Sequence, residues 1–194
     1  SNNDRFSLHV MMATSQSAMC SAKKIPFSTV MVGLGGNGVE LGIQMAGTGN
    51  KWYTVPAPKI LGMFLNPTWT EEDILGFLGD SCVTEVYGFG GFSAIAGPAF
   101  VLRTGGTFGE AKQRTERAKA VSLGTHNFPV PWNNSEGLPC GVDVRKVVAL
   151  NQAPISHGGS TLKTGGQGGS GSAELPMEMF KKALIEMKRI VENE

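Results

Sequence analysis

Gly33-Leu34-Gly35-Gly36-Asn37-Gly38-Val39-Glu40-Leu41-Gly42-Ile43-Gln44-Met45 is the stretch whose reading decides the fold. Gly33, Gly35 and Gly38 satisfy G-x-G-x-x-G behind the β-branched run Phe27 to Val32, and on pattern alone this suggests a dinucleotide site. Such a fingerprint must open a helix, because the pyrophosphate sits on the helix N-terminus. The residues that follow do not read as a helix. Val39, Leu41, Ile43 and Met45 alternate with Glu40, Gly42, Gln44 and Ala46, the period of two of a half-buried strand. Asn37-Gly38 is a strong short-range hairpin signal. The expected fold is therefore mixed α/β (α+β): an antiparallel-rich sheet with a β-hairpin, covered by helices, not a doubly wound parallel sheet.

Working outward, Asn3 or Asp4 can cap a first helix reaching Ala22, with Phe6, Val10, Ala13 and Ser17 inward. Trp52 to Val55 and Leu61 to Leu65 read as strands, the first halted by Pro56 and Pro58. Thr70 with Asp73 forms a capped turn. Phe92 to Leu102 reads as a buried helix broken at Gly97-Pro98. Thr107 to Leu123 is a polar-faced helix, Val142 to Leu150 a short one, and Pro154 to Ser156 a strand fragment. The expected organisation is a core domain over 1–157, a Gly/Ser-rich loop over 158–175, and a closing helix over 176–194 that packs on the core.

The 194 residues suffice for one sizeable core, and a net charge of +1 argues against a nucleic-acid partner. No apolar run approaches the roughly 20 residues of a membrane span. Asp4-Arg5 precede an amphipathic segment with no cleavage signature, so no signal peptide is expected. Cys20, Cys82 and Cys140 are odd in number and widely spaced, which points to a reducing cytoplasm. No zinc-ligand spacing occurs, and no metal is expected.

Chemistry concentrates in Gly79-Asp80-Ser81-Cys82-Val83-Thr84-Glu85-Val86-Tyr87-Gly88-Phe89-Gly90-Gly91-Phe92. A glycine turn opening a helix presents backbone N–H groups to an anion. Asp80, Ser81, Thr84 and Glu85 lie just upstream and can meet the same ligand; the plain alternative is a tight structural loop. Cys82 has acidic neighbours that raise a thiol pKa, and it reads as packing. Ser81 lacks the elbow motif of a hydrolase. Glu40 shares a strand face with Gln44 beside Asn37, and it is either an acceptor for amide N–H groups or a solvated side chain. Arg145 offers the planar fork that suits a carboxylate or phosphate, while Asp143, Arg145 and Lys146 also read as a surface cluster. His157 and Lys163 sit in a glycine tract that is either an anion-cradling nest or a tether.

Asn37-Gly38-Val39-Glu40-Leu41-Gly42-Ile43, Gly47 to Pro58, Gly79-Asp80-Ser81 with Thr84-Glu85 and Gly90-Gly91, Gly141 to Val148, and Pro176-Met177-Glu178 with Phe180 together resemble the AllG/YlbE-like family. Its members are usually about twice this length, so the resemblance implies the C-terminal half of a longer protein, or a subunit that needs a partner. It further implies a subunit of an oxamate carbamoyltransferase, which splits oxalurate with phosphate into oxamate and carbamoyl phosphate at the end of anaerobic allantoin breakdown. One departure is Leu162 before Lys163, where the family often carries histidine.

On this reading Asp80 or Glu85 handles protons or orients an amide. The Gly88, Gly90 and Gly91 N–H groups face the developing oxyanion, with Ser81 and Thr84 as hydroxyl donors. Arg145 holds the anion, and Asn37 and Glu40 meet the substrate's amide. The implied partners are a small anionic substrate and further subunits or a second copy; the cofactor is left open. The alternative is a non-catalytic assembly module, with the apolar 92–102 segment, Met11-Met12 and Met177 to Met179 at its interface.

Overall fold

The computed structural model describes residues 6–134 and 136–194. In chain order the helices and strands are α1 (Phe6–Ala22), β1 (Met31–Gly36), β2 (Glu40–Met45), β3 (Trp52–Pro56), β4 (Leu61–Phe64), β5 (Ile74–Leu78), α2 (Val83–Tyr87), α3 (Ala99–Arg103) and α4 (Phe108–Ala120). Then follow β6 (Ser122–Thr125), β7 (Pro139–Val142), α5 (Val144–Ala149), β8 (Ile155–Leu162), β9 (Gln167–Glu174) and α6 (Met177–Glu192). A 3-10 turn over Gly90–Ala96 precedes α3.

The hairpin forms where its turn chemistry places it. Asn37 Oδ1 accepts from the Val39 and Glu40 N–H groups at 2.9 and 2.8 Å. Gly38 takes φ +90°, a conformation that penalises any side chain. Beyond the turn β1 and β2 pair antiparallel with Gly35 opposite Gly42, and β3 adds to the other edge of β2. No helix starts at the glycine motif, so the dinucleotide reading is excluded on geometry. Leu41, Ile43 and Met45 are fully buried in the same core as Phe180, Ala183 and Met187 of α6. Burying such side chains contributes about 1.5–3 kcal/mol each before entropy is counted.

A second antiparallel sheet has the order β4-β9-β8-β5, and a two-stranded ribbon joins β6 to β7. It overturns the expectation of a Gly/Ser-rich loop over 158–175: β8 and β9 form a hairpin running through that tract. Its glycines permit close approach rather than freedom. A Cβ at Gly158 would lie 2.6 Å from the Phe77 ring, which fills that space instead. The β-branched run Phe27 to Val32 that precedes the glycine motif is strand only from Met31 onward.

The first helix forms, but on a different face from the one expected. Its capping residues Asn3 and Asp4 lie outside the described residues. Ser15 and Met19 are buried, whereas Phe6 and Val10 are 66% and 49% exposed. Phe6–Ala22 contains no Asp, Glu, Lys or Arg, so its sequence distinguishes no polar side from a buried one. The helix expected over Thr107 to Leu123 is α4, opened by a capping box in which Thr107 and Glu110 satisfy each other's backbone N–H. It ends at Ala120, before β6. Among the described residues no helix is long and apolar enough to cross a membrane.

Candidate functional site

β5 delivers the chain to the acidic–glycine segment. Asp80 Oδ1 accepts the Ser81 N–H at 2.8 Å, and Thr84 Oγ1 donates to the Ser81 carbonyl at 2.9 Å, fixing the start of α2. Gly88 closes that helix at φ +110°, with its N–H on the Glu85 carbonyl at 2.8 Å. Gly90, at φ +60°, then turns the chain back over Glu85.

That turn wraps around the protein's own carboxyl. Glu85 is 2% exposed. Its Oε1 accepts the Gly91 N–H at 2.8 Å and the His157 N–H at 2.6 Å. Its Oε2 accepts the Ser156 hydroxyl at 2.5 Å. A Cβ at Gly90 would lie 2.7 Å from Glu85 Cγ, and one at Gly91 2.9 Å from Oε1, so glycine is required for this embrace. Of the glycines expected to cradle a bound anion, Gly91 gives its N–H to the Glu85 carboxylate and Gly88 gives its own to the Glu85 backbone carbonyl.

Burial is the main influence on this carboxyl and favours the neutral form. Hydrogen bonds from Ser156, Gly91, His157 and Cys82 oppose it, and the balance raises the pKa from 4.5 to about 7. Ser156 Oγ also lies 3.0 Å from the His157 carbonyl. Its proton can point to Glu85 when that group is ionised, and to His157 when Glu85 carries the proton. Cys82 is buried beside them, its Sγ 3.7 Å from Ser156 Oγ. Burial first, and the Glu85 charge second, push its thiol well above the usual value, consistent with packing.

A cavity of about 400 Å³ opens beside this carboxyl, between α1, the segment from Leu78 to Gly90, Phe100 and the β8–β9 hairpin. Asp80, Ser81, Thr84, Glu85, Gly90 and His157 all line it. The His157 ring stacks on Phe100 at 4.1 Å between centroids. Its Nε2 is closed to solvent and has no hydrogen-bond partner. Burial, aided by the Arg114 charge, holds its pKa down at about 4, so the imidazole is neutral near pH 7. Arg114 itself donates to Ser172 at 2.8 Å.

The structure thus brings together Asp80, Ser81, Thr84, Glu85 and Gly90. Gly91 sits behind them as a donor to Glu85. The N–H groups of Gly88 and Gly91 are committed within the protein and do not face the cavity as oxyanion donors. Gly88 lies instead against Pro139 and His126. Arg145 is not at this cavity. It stands on α5 with its side chain 67% exposed, paired at 3.0 Å with Asp143, which caps the same helix. Asn37 and Glu40 line a separate shallow depression with Trp52, where Glu40 accepts from Thr54 Oγ1 at 3.0 Å. The sequence gives Ser156 and Phe100 no site role and places His157 in a tract that reads as either a nest or a tether. Ser156 and His157 reach Glu85 across 71 and 72 residues of chain, and no local spacing signals it.

Fold and cavity together define a mixed α/β protein of antiparallel sheets with a buried, near-neutral carboxyl at a ligand-sized cleft. The family model for "Oxamate carbamoyltransferase subunit AllG" matches residues 1–81. The chain is 34% identical over 188 residues to "Uncharacterized protein YahG" of Escherichia coli (strain K12), covering 95% of this chain and 39% of that protein. It is 29% identical over 185 residues to the oxamate carbamoyltransferase subunit AllG of the same organism, covering 93% and 44%. Among solved structures, a conserved protein of unknown function from Enterococcus faecalis V583 superposes with a TM-score of 0.86 at 31% identity, covering 93% of this chain and 44% of that one. The chain resembles the oxamate carbamoyltransferase subunit AllG family over residues 1–81, and it spans about two fifths of the length of these relatives.

Proposed function

We propose that this chain is part of an oxamate carbamoyltransferase-like enzyme, in which it binds the carbamoyl-bearing substrate and handles its proton. The observation that carries the reading is Glu85: a buried carboxyl with a pKa of about 7 at the wall of a cavity. A group so poised both gives and takes a proton near neutral pH, and general acid–base catalysis of this kind contributes about 10²–10⁴-fold.

In the reaction a phosphate oxygen attacks the ureido carbonyl of oxalurate. The bond from that carbon to the oxamate nitrogen breaks, and carbamoyl phosphate forms. The leaving nitrogen needs a proton, and phosphate loses one. Glu85 supplies the first and recovers the second, with Ser156 reorienting between the two states. On this reading the groups that bind phosphate belong to partner subunits, and only its attacking oxygen reaches this chain's cavity.

The test is phosphate-dependent release of oxamate from oxalurate by the chain together with its partner subunits. Glu85→Gln is expected to lower turnover by about 10²-fold or more, with the assembly intact. Wild-type turnover from that variant refutes the role. A second reading, an assembly module without catalytic groups, is favoured by α1, whose uncharged surface leaves Phe6, Val10 and Met11 exposed. Polar substitutions at Met11 and Val10 that abolish assembly, combined with a silent Glu85→Gln, would select it.

A further inference from the structure

We infer that the cavity selects a neutral planar amide or ureido group, and that the anionic end of a substrate is held by a cation from outside it. The inference rests on reading the cavity as the substrate site, but not on the reaction that follows.

An anion in a partly closed cleft needs either a cation or free backbone N–H groups. Among the described residues no Lys or Arg lines this cavity. Two of the three glycine N–H donors of its turn are already taken, Gly88 by the Glu85 carbonyl and Gly91 by Glu85 Oε1, which also takes the His157 N–H. Asp80, at the cavity wall, adds a carboxylate that repels any anion placed near it. Arg145 is engaged with Asp143 on another element.

The same groups suit a neutral amide well. Asp80 is an acceptor for N–H. The hydroxyls of Ser81 and Ser170 serve as donor or acceptor, and the buried His157 Nε2 lacks any partner. Phe100 and His157 stack to form a flat wall, and Leu8 and Met12 of α1 close the cavity with apolar surface. A planar ureido slab matches both features: two faces that tolerate apolar contact, and an edge of N–H and C=O groups.

The probes are acetylurea, which carries a ureido group and no charge, oxalurate, in which a carboxylate replaces its methyl group, and inorganic phosphate. Each is titrated against this chain by heteronuclear NMR, following the amides of Gly90, Gly91 and His157 and the His157 imidazole. Acetylurea is expected to shift these resonances saturably, with a Kd roughly tenfold below that of oxalurate. Phosphate is expected to leave them unmoved.

Asp80→Asn, an isosteric change at an exposed position, is expected to narrow the gap between acetylurea and oxalurate. Oxalurate or phosphate binding at the cavity as tightly as acetylurea overturns the inference, as does the absence of any acetylurea response there. Loss of transfer in the assembled enzyme alongside selective acetylurea binding would refute the reaction and leave the selectivity standing. Selective failure of acetylurea alongside turnover would do the reverse.

Discussion

Replacing Glu85 with glutamine should stabilise this protein at pH 8 relative to the wild type, and the gain should vanish toward pH 5. Glutamine reproduces the protonated carboxyl. Its Oε1 still accepts from the Gly91 and His157 N–H groups, and its amide donates to Ser156 Oγ, which turns its own proton to the His157 carbonyl. The wild-type carboxyl is raised from 4.5 to about 7 by burial. Between those values the native state keeps a proton that the unfolded chain releases, so wild-type stability falls as pH rises through this window. At 1.36 kcal/mol per pKa unit the loss between pH 5 and pH 8 comes to about 2–3 kcal/mol.

His157 works in the opposite direction. Its value is depressed from 6.5 to about 4, so the native state binds fewer protons than the unfolded chain between these limits. Stability then rises with pH across that range. The two slopes oppose each other where they overlap in the wild type, and the difference between variant and wild type isolates Glu85. Urea melts of both proteins at pH 5, 6, 7 and 8 give that difference directly. A difference that stays constant to within roughly 0.5 kcal/mol across the range would refute the reasoning, since it would mean that Glu85 titrates as an ordinary surface carboxyl.

Gly91→Ala should cost at least about 2 kcal/mol, measured by denaturant melts, because its Cβ would stand 2.5 Å from the His157 backbone nitrogen and displace a donor from Glu85. Cys20 is exposed and should be alkylated by iodoacetamide in the native protein, whereas Cys82 should react only after unfolding; mass mapping of the labelled peptides distinguishes the two. Arg145→Ala should lower stability by about 1–2 kcal/mol, since its exposed guanidinium pairs with the buried Asp143, which keeps its bonds from the Thr29 hydroxyl and the position-145 backbone N–H, and should leave acetylurea binding unchanged. Asp143→Ala should cost about 2 kcal/mol or more in the same melts, since the 2%-exposed Asp143 caps α5 and accepts the Thr29 hydroxyl at 2.8 Å.

The parts of the fold written in local chemistry were legible. Asn37-Gly38 and the alternation after it specify a hairpin, Thr107 with Glu110 specifies a helix start, and both are present. The candidate site was legible in one half only. The segment from Asp80 to Gly91 announces itself through its glycines and carboxylates, yet the sequence does not say whose anion the turn holds. His157 and Ser156 reach Glu85 through strand pairing, in a tract whose glycines read as flexibility. Glycine in a linker and glycine under an aromatic ring look alike until the ring is placed; Phe77 over Gly158 is that case. Arg145 was chosen for its chemistry, and its residue type could not reveal that Asp143, two positions earlier, already engages it.

The order of the second sheet sets when the cavity can exist during folding. Leu61 pairs with Ser172, and Ile74 with Leu162, so β4 and β5 leave the ribosome long before their partners. Contacts between residues so distant in sequence are slow to form, because the intervening chain must close first. Until β8 docks, Glu85 lacks Ser156 and His157, whose bonds to it span 71 and 72 residues. It remains hydrated in that interval and titrates as a free carboxyl. Uptake of a proton near neutral pH is therefore a late folding event, and its rate in stopped-flow refolding with a pH indicator should match docking of the C-terminal hairpin rather than formation of the first one.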